Sequence, residues 1–384
     1  MLARIETRLP PLWLSASAVT AAIAVVFGIQ RWVAHFVADP YAEDIRVWVV
    51  ATRIGLTNGW SHIYDLDLQK AASAGFPPSG RVIDLTHFFV APPPDAWILV
   101  PVAWLPIPAA FVIWTLVNVA AFVVVGWLVS PGSALTRVTL ILVGLALWPV
   151  HFQFWLGQWV VATLALVGLA WWLLDRGQAI AAGAVLALGV IAKPQDAWLV
   201  PLALLVGGRW RPVIAFAVVG AVLGAASLAS LGASGLNSWW HDLGLLRASP
   251  YSGPLTYSWL IGHTPLATAA EVGFGIVALG AAWMRRDRLD LVFALGIIAT
   301  MGAASYLHED DVAMLVLAAW IVLRSNPSLQ LKLWLLAGIA AAQFIAIGQP
   351  IPMLVWEPGF LVLLALEPSR KMAPAVRHPE PAPA

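Results

Sequence analysis

The sequence predicts an all-α, polytopic membrane protein, and three observations support that prediction. Of the 384 residues, 61% are hydrophobic and only 11% are charged, whereas a typical soluble domain has roughly 25% charged residues. The apolar residues come in runs of about 15–25, which is the length of a helix that crosses a bilayer. The chain has no cysteine, which excludes disulfides, thiolate nucleophiles and thiolate metal sites.

Twelve apolar segments are candidates for membrane-spanning helices. They lie near residues 12–30, 97–129, 138–156, 158–174, 178–192, 195–208, 211–231, 264–284, 288–306, 311–323, 331–347 and 350–367. The second is too long for one crossing, and Pro101, Pro106 and Pro108 predict an interfacial piece followed by a span from about residue 107. The first segment lacks a convincing cleavage site, so we expect it to be retained as a span.

Basic residues in the short loops predict the orientation of the chain. With the N terminus in the cytoplasm, these basic residues fall on the cytoplasmic side: Arg137, Arg176, Arg209, Arg211, Arg285, Arg286, Arg288, Arg324, Lys332, Arg370 and Lys371. All histidines except His378 then fall on or near the other side, with most of the acids. Long loops collect polar residues in any membrane protein, but that does not explain the histidines. We therefore expect an extracytoplasmic active site on a protein of the cell (inner or plasma) membrane.

These assignments predict a single transmembrane domain over residues 1–367. It would carry two long external loops, residues 31–95 and residues 232–263. The segment 368–384 is rich in Pro and Ala and is expected to be a disordered cytoplasmic tail.

The first loop is too long to be structureless, and its pattern predicts two short helices. Residues 44–57 would form a helix that lies in the membrane interface. Its apolar face would carry Ile45, Trp48, Val49, Thr52 and Leu56. Residues 64–75 would form a second helix capped by Asp65, and the aromatic, Pro-rich segment 87–97 would return the chain to the membrane.

Asp44, at the start of the first of these helices, has two interpretations. An Asp before a helix is commonly a cap. A carboxylate held at the membrane surface is instead partly desolvated, which raises its pKa and suits it to accept a proton. The spacing of the residues does not distinguish the two.

Several segments of the chain together form a recognisable series of motifs. The series begins with "DIRVW" (44–48) and "ATRIGLTNGWSHIYD" (51–65). It continues in "FFVAPPPDAWILVPVAWLPIPAAFVIWTLVN" (88–118) and in "FWLGQWVVATLALVGLAWWLLDRGQAIAAGAVLALGVIAKPQ" (154–195). The series resembles glycosyltransferase family 87, the polyprenyl-phosphate-mannose-dependent mannosyltransferases and their relatives, which have the GT-C membrane fold. It covers roughly residues 10–365, and its "AKPQ" block is the most specific part.

The resemblance implies an inverting transfer of a sugar, most often mannose, from a polyprenyl phosphate to a hydroxyl of a lipid-linked or cell-envelope glycan. Such a reaction needs a general base and a cradle for the departing phosphate. The resemblance assigns the base to Asp44, with Glu43 as the fallback. The donor, the acceptor and the lipid bilayer would be the partners, and nucleic acid is not expected because the chain has no basic stripe.

Lys193 is the predicted contact to the donor phosphate. Pro194 breaks the helix at this point, and the orientation places Lys193 at the external face. A lysine that anchors a helix end at the interface is the alternative. Gln158 lies on the same face and is a weaker candidate for the same role.

"SYLHEDDVAML" (305–315) carries His308 beside three acids at the external end of a helix. The family resemblance assigns His308 a polar contact to donor or acceptor. We expect no cofactor, and a divalent metal held by this cluster is the less favoured alternative.

The predicted loop 232–263 is rich in aromatic residues, which suit either sugar stacking or an interfacial belt. The candidate contacts to sugar or acceptor in this loop are Trp239, Trp240, His241, Arg247 and Tyr257.

Two other kinds of protein remain as alternatives. A transporter would place ionisable residues in the middle of its spans, and Glu357 is the main example in this chain. A GT-C enzyme of another type, such as a glycan ligase or polymerase, would also use external loops.

Overall fold

The computed structural model describes residues 11–41, 43–77, 88–248, 253 and 255–368, which form eighteen α-helices and no β-strand. The predicted all-α class is therefore confirmed for this part of the chain. Of the predicted features, the tail from residue 369 onwards and the side chains of Glu43 and Arg247 lie outside the described residues.

The helices follow one another in chain order as α1 to α18. Helices α1 to α6 are Leu12–Ala38, Glu43–Asn58, Leu66–Ser73, Pro93–Ile98, Ile107–Val129 and Ala134–Ala146. Helices α7 to α12 are Trp148–Leu156, Val160–Asp175, Ala179–Ala192, Pro194–Ala197, Val200–Val206 and Trp210–Ala248. Helices α13 to α18 are Tyr257–Ile261, Pro265–Met284, Leu289–Ala303, Met314–Arg324, Leu329–Ile345 and Ile351–Leu366.

Side-chain caps explain where several of these helices begin. Ser133, Thr256, Thr264 and Ser328 each accept a hydrogen bond from a backbone N–H of the helix that follows. N–H groups in the first turn of a helix have no partner within the helix, and the hydroxyl oxygen accepts a hydrogen bond from one of them.

Four helices, α1, α5, α12 and α14, are long and apolar enough to cross a membrane, and α6 with α7, bent by 60°, would be a fifth. The twelve predicted spans are thus not confirmed, although each predicted segment contains a helix. The other apolar helices of ten residues or more have at most 17 residues. At about 1.5 Å per residue they are shorter than the roughly 30 Å hydrocarbon layer. Breaks at proline, glycine and capping residues divide apolar runs that look continuous in the sequence.

The core lies around α15, the most enclosed helix of the bundle. Every residue from Leu291 to Gly302 is buried, where α15 packs against α11, α14, α16 and α18. The segment that leaves the C-terminal end of α15 carries His308, so the buried helix fixes where that segment emerges.

Helix α2 lies where the first helix of the loop is predicted, and the protein encloses more of it than its apolar face. All residues from Ile45 to Thr52 are buried, including Arg46, which is 1% exposed. Phe111, Trp159 and Leu231 belong to the same apolar cluster as α2. Since these residues come from distant parts of the chain, the sequence pattern of α2 alone does not reveal that both faces are covered.

The second predicted helix of the first loop is confirmed as α3. Asp65 caps it by accepting hydrogen bonds from the N–H groups of Asp67 and Leu68. Gln69 links two segments of the loop by hydrogen bonds. Its side-chain amide donates to the carbonyl of Ile63 and accepts from the backbone N–H of Phe89.

The first part of the predicted external loop 232–263 is helical, as far as Ala248. Helix α12 bends at Gly232 (φ 59°, ψ −170°) and then continues. Glycine tolerates this positive φ, so the chain changes direction without ending the helix. A side chain at Gly235 would place its Cβ 2.8 Å from the carbonyl oxygen of Ser61, so the part of α12 beyond the bend lies directly on the first loop.

Candidate active site

One cleft of about 330 Å³ brings together predicted site residues from five separate segments of the chain. They are Asp44, Gln158, Lys193, Trp239 and His308. This volume lies within the roughly 300–1,000 Å³ of small-molecule sites. The cleft is therefore the candidate active site.

Asp44 is oriented in the cleft by Gln158. Gln158 Nε2 donates a hydrogen bond of 2.7 Å to Asp44 Oδ2. Gly157, at the end of α7, has a φ of 70°, and a Cβ there would lie 2.9 Å from Ile45. The glycine thus lets the end of α7 approach α2 closely enough for the amide to reach the carboxylate.

Lys193 lies between buried carboxylates, which the sequence did not predict. It is 7% exposed, its Nζ lies 3.0 Å from Asp310 Oδ2, and it also pairs with Asp311. Both aspartates are fully buried, and so is the neighbouring Asp196. Lys193 is therefore part of a buried ion-pair cluster, which neutralises much of the lysine charge.

His308 lies at the edge of the cleft beside Tyr306. The Nε2 of His308 and the hydroxyl of Tyr306 are 2.6 Å apart, and the backbone N–H of His308 donates to Asp311 Oδ2. One loop therefore presents an imidazole to the cleft and a carboxylate to Lys193. In the part of the chain that the structure describes, no three His, Cys, Asp or Glu side chains are grouped to bind a metal ion.

Trp239 is the member of the predicted aromatic set that lines the cleft. Its ring stacks on Tyr64, with centroids 5.6 Å apart, and its Nε1 donates to the carbonyl of Val90. Trp48 and Trp159 also line the cleft and meet edge to face. These rings give the cleft apolar surfaces of the kind on which sugars stack.

Other predicted contacts lie elsewhere. Trp240 is 67% exposed and does not line the cleft, because consecutive helix residues point about 100° apart. Tyr257 packs against Phe274 of α14, and His241 lines a separate cleft.

Asp95 is a cleft residue that the sequence analysis did not single out. It is 1% exposed, it lines the cleft, and neither carboxylate oxygen has a hydrogen-bond partner among the described residues. Burial raises the pKa of Asp95 well above its usual range, although the charge of Lys193 opposes this. The one signal in the sequence is an acid directly after three prolines, at the start of α4.

Asp95→Asn should stabilise the protein more at alkaline than at acidic pH. The folded protein disfavours the ionised form of this carboxyl. The contribution of Asp95 to the stability of the wild type therefore falls as pH rises above its pKa in the unfolded chain, about 4. Asparagine does not ionise, so the variant lacks this loss. Thermal unfolding in nanodiscs at pH 5 and pH 9 measures the difference, and an equal shift at both values would contradict a raised pKa of Asp95.

Comparison with known proteins gave one match. The family model for Glycosyltransferase family 87 matches residues 89–342, more than half of the chain. The matched segment contains Asp95, Gln158, Lys193, Trp239 and His308, whereas Asp44 lies before it. Neither the curated proteins nor the solved structures gave a match.

Proposed function

We propose that this chain, which belongs to glycosyltransferase family 87, transfers mannose from a polyprenyl phosphate to a hydroxyl of a lipid-linked or cell-envelope glycan. The reaction is inverting and takes place on the extracytoplasmic face. Membrane glycosyltransferase activity follows from the family. The sugar, the donor, the acceptor and the side of the membrane are parts of the proposal.

The observation that carries the proposal is a carboxylate, Asp44, held in position by Gln158 at the wall of a cleft with aromatic surfaces. In the proposed mechanism Asp44 takes the proton of the acceptor hydroxyl. The resulting oxygen nucleophile attacks the anomeric carbon of the donor sugar from the side opposite the phosphate. The bond from that carbon to the phosphate oxygen breaks, and polyprenyl phosphate leaves with the electron pair.

The leaving phosphate needs hydrogen-bond donors, and three of the predicted site residues that line the cleft can supply them. Lys193 has three N–H donors, of which two are directed at carboxylates, so one can reach a phosphate oxygen. The Gln158 amide and the His308 imidazole line the same cleft. Because Asp310 and Asp311 share the charge of Lys193, these three groups would act together on the phosphate.

A donor panel tests the proposal directly. The purified protein in nanodiscs would receive polyprenyl phosphates carrying mannose, glucose, galactose or arabinose, with an extracted glycolipid acceptor. We expect a product heavier by one hexose with the mannose donor only, and NMR should show the anomeric configuration opposite to that of the donor. Transfer from a nucleotide sugar but from no polyprenyl phosphate would contradict the proposal.

The first loop should face the cell exterior if the active site is extracytoplasmic. A reporter enzyme that is active only outside the cytoplasm, fused after residue 80, is expected to be active, whereas the same reporter fused after residue 288 is expected to be silent. The basic short loops are the reason. The reverse pattern would show that the orientation, and with it the side of the reaction, is wrong.

A further inference from the structure

A second polar cleft, of about 500 Å³, lies between α3 and the part of α12 beyond Gly232. Except for Leu66, every described residue that lines it has a side chain capable of hydrogen bonding. Its polar lining includes Asp65, Asp67, Asn237, Ser238, His241 and Asp242. None of these six residues lines the candidate active site.

The cleft has a fixed shape because both of its walls are held. The backbone of α12 at Gly235 approaches Ser61 so closely that a side chain there would not fit. On the other wall, Asp65 caps α3 through two hydrogen bonds. The walls meet where Tyr64 stacks on Trp239 at an interplanar angle of 13°.

Asp242 shows that the cleft is suited to a ligand. Its side chain is almost fully buried at 1% exposure, and its Oδ2 has no hydrogen-bond partner among the described residues, although the residue lines the cleft. Leaving a buried oxygen unpaired is costly. A ligand that donates a hydrogen bond to this oxygen would remove that cost.

The stacked pair of Tyr64 and Trp239 separates the two clefts. Trp239 faces the candidate active site and Tyr64 faces the second cleft. The donor must keep its isoprenoid chain in the bilayer, whereas the second cleft is built by the first loop and by α12 beyond its bend. A glycan extending from the candidate active site into the second cleft would pass this pair.

We propose that the second cleft binds sugar residues of the acceptor glycan, namely those beyond the one whose hydroxyl reacts. This inference rests on the proposed function. The ligand is a neutral oligosaccharide. Its hydroxyls both donate and accept hydrogen bonds, which matches the carboxylates of Asp67 and Asp242, the amide of Asn237 and the hydroxyl of Ser238. Among the described residues of the lining, three aspartates stand against one lysine, Lys70, and this balance disfavours an anion such as the donor phosphate.

Direct binding of a free sugar chain tests this site without requiring transfer. The full-length protein in nanodiscs would be titrated with a free mannose tetrasaccharide and, separately, with mannose, using calorimetry and saturation-transfer NMR. We expect the tetrasaccharide to bind more tightly than mannose. Asp242→Asn should raise its Kd about tenfold, as expected for the loss of a hydrogen bond to a charged group.

Two further variants make the test independent of folding. Asn237 is exposed, so Asn237→Ala should fold, and it should weaken tetrasaccharide binding as well. Ser234 is exposed on the same helix but lines neither cleft, so Ser234→Ala should bind like the wild type. In the transfer assay, Asn237→Ala should lower the ratio of kcat/KM for a long acceptor to that for a single-sugar acceptor.

The outcomes separate this site from the proposed function. Tetrasaccharide binding that Asp242→Asn and Asn237→Ala leave unchanged overturns the site, even if the donor panel succeeds. Binding of Ca²⁺ that Asp67→Asn abolishes, with no binding of the tetrasaccharide, shows a cation site and overturns it too. Tetrasaccharide binding that depends on the cleft, with no donor used, supports the site and contradicts the proposed donor.

Discussion

Asp44→Asn should lower the rate of sugar transfer by about 100-fold or more while the protein still folds and still binds the donor. The asparagine keeps the size of the side chain and its hydrogen bond to Gln158, but it cannot take the proton of the acceptor hydroxyl. Initial rates at saturating donor and acceptor, with donor binding measured separately, check this expectation.

The alternative role of Asp44, as a helix-capping residue, predicts a much smaller effect. Asparagine caps helices about as well as aspartate, so the cost in stability would be about 1 kcal/mol at most. Glu43→Gln is the matched control, since it removes a carboxylate one residue away, and it should be milder. An inactive Glu43→Gln variant with an active Asp44→Asn variant would assign the general base to Glu43. Activity in both variants would rule out a carboxylate base in α2 and make His308 the next candidate.

The sequence predicts which residues line the candidate active site better than it predicts the contacts between those residues. The predicted orientation of the chain and the family resemblance place Asp44, Gln158, Lys193 and His308 on the same side of the membrane. The bond between Asp44 and Gln158 spans 114 positions of sequence. It depends on how closely α7 approaches α2, which the pattern of either helix does not specify.

The enclosure of α2 and the length of α12 show a second limit of sequence analysis. Amphipathic periodicity identifies a helix and one apolar face. It does not reveal that Arg46, on another face, is covered by neighbours. In α12, the polar residues after Gly232 are typical of a loop, but the structure continues them as a helix laid on the first loop.

Asp95 does not stand out in the sequence for a related reason. It is one acid among many on the predicted external side. Its burial and its unpaired oxygens distinguish it from the rest, and both depend on tertiary packing around α4.

Lys193→Ala should strongly destabilise the protein, lowering the free energy of unfolding by about 3–5 kcal/mol. The substitution leaves Asp310 and Asp311 buried without their counter-charge. Thermal unfolding in nanodiscs measures the loss. Lys70→Ala is a matched control, because Lys70 pairs with Asp67 at 3.9 Å on the surface, and such exposed pairs contribute only about 0–1 kcal/mol.

The triple variant Lys193→Ala, Asp310→Asn, Asp311→Asn distinguishes stability from donor binding. Since it removes the charges together, it should recover much of the lost stability, because the main cost comes from leaving carboxylates unpaired. If Lys193 also contacts the donor phosphate, the recovered protein should still need about ten- to 100-fold more donor, the usual value of one charge-assisted hydrogen bond. A wild-type KM for the donor in a well-folded triple variant would show that Lys193 only balances the buried aspartates, and the phosphate would then depend on His308 and Gln158.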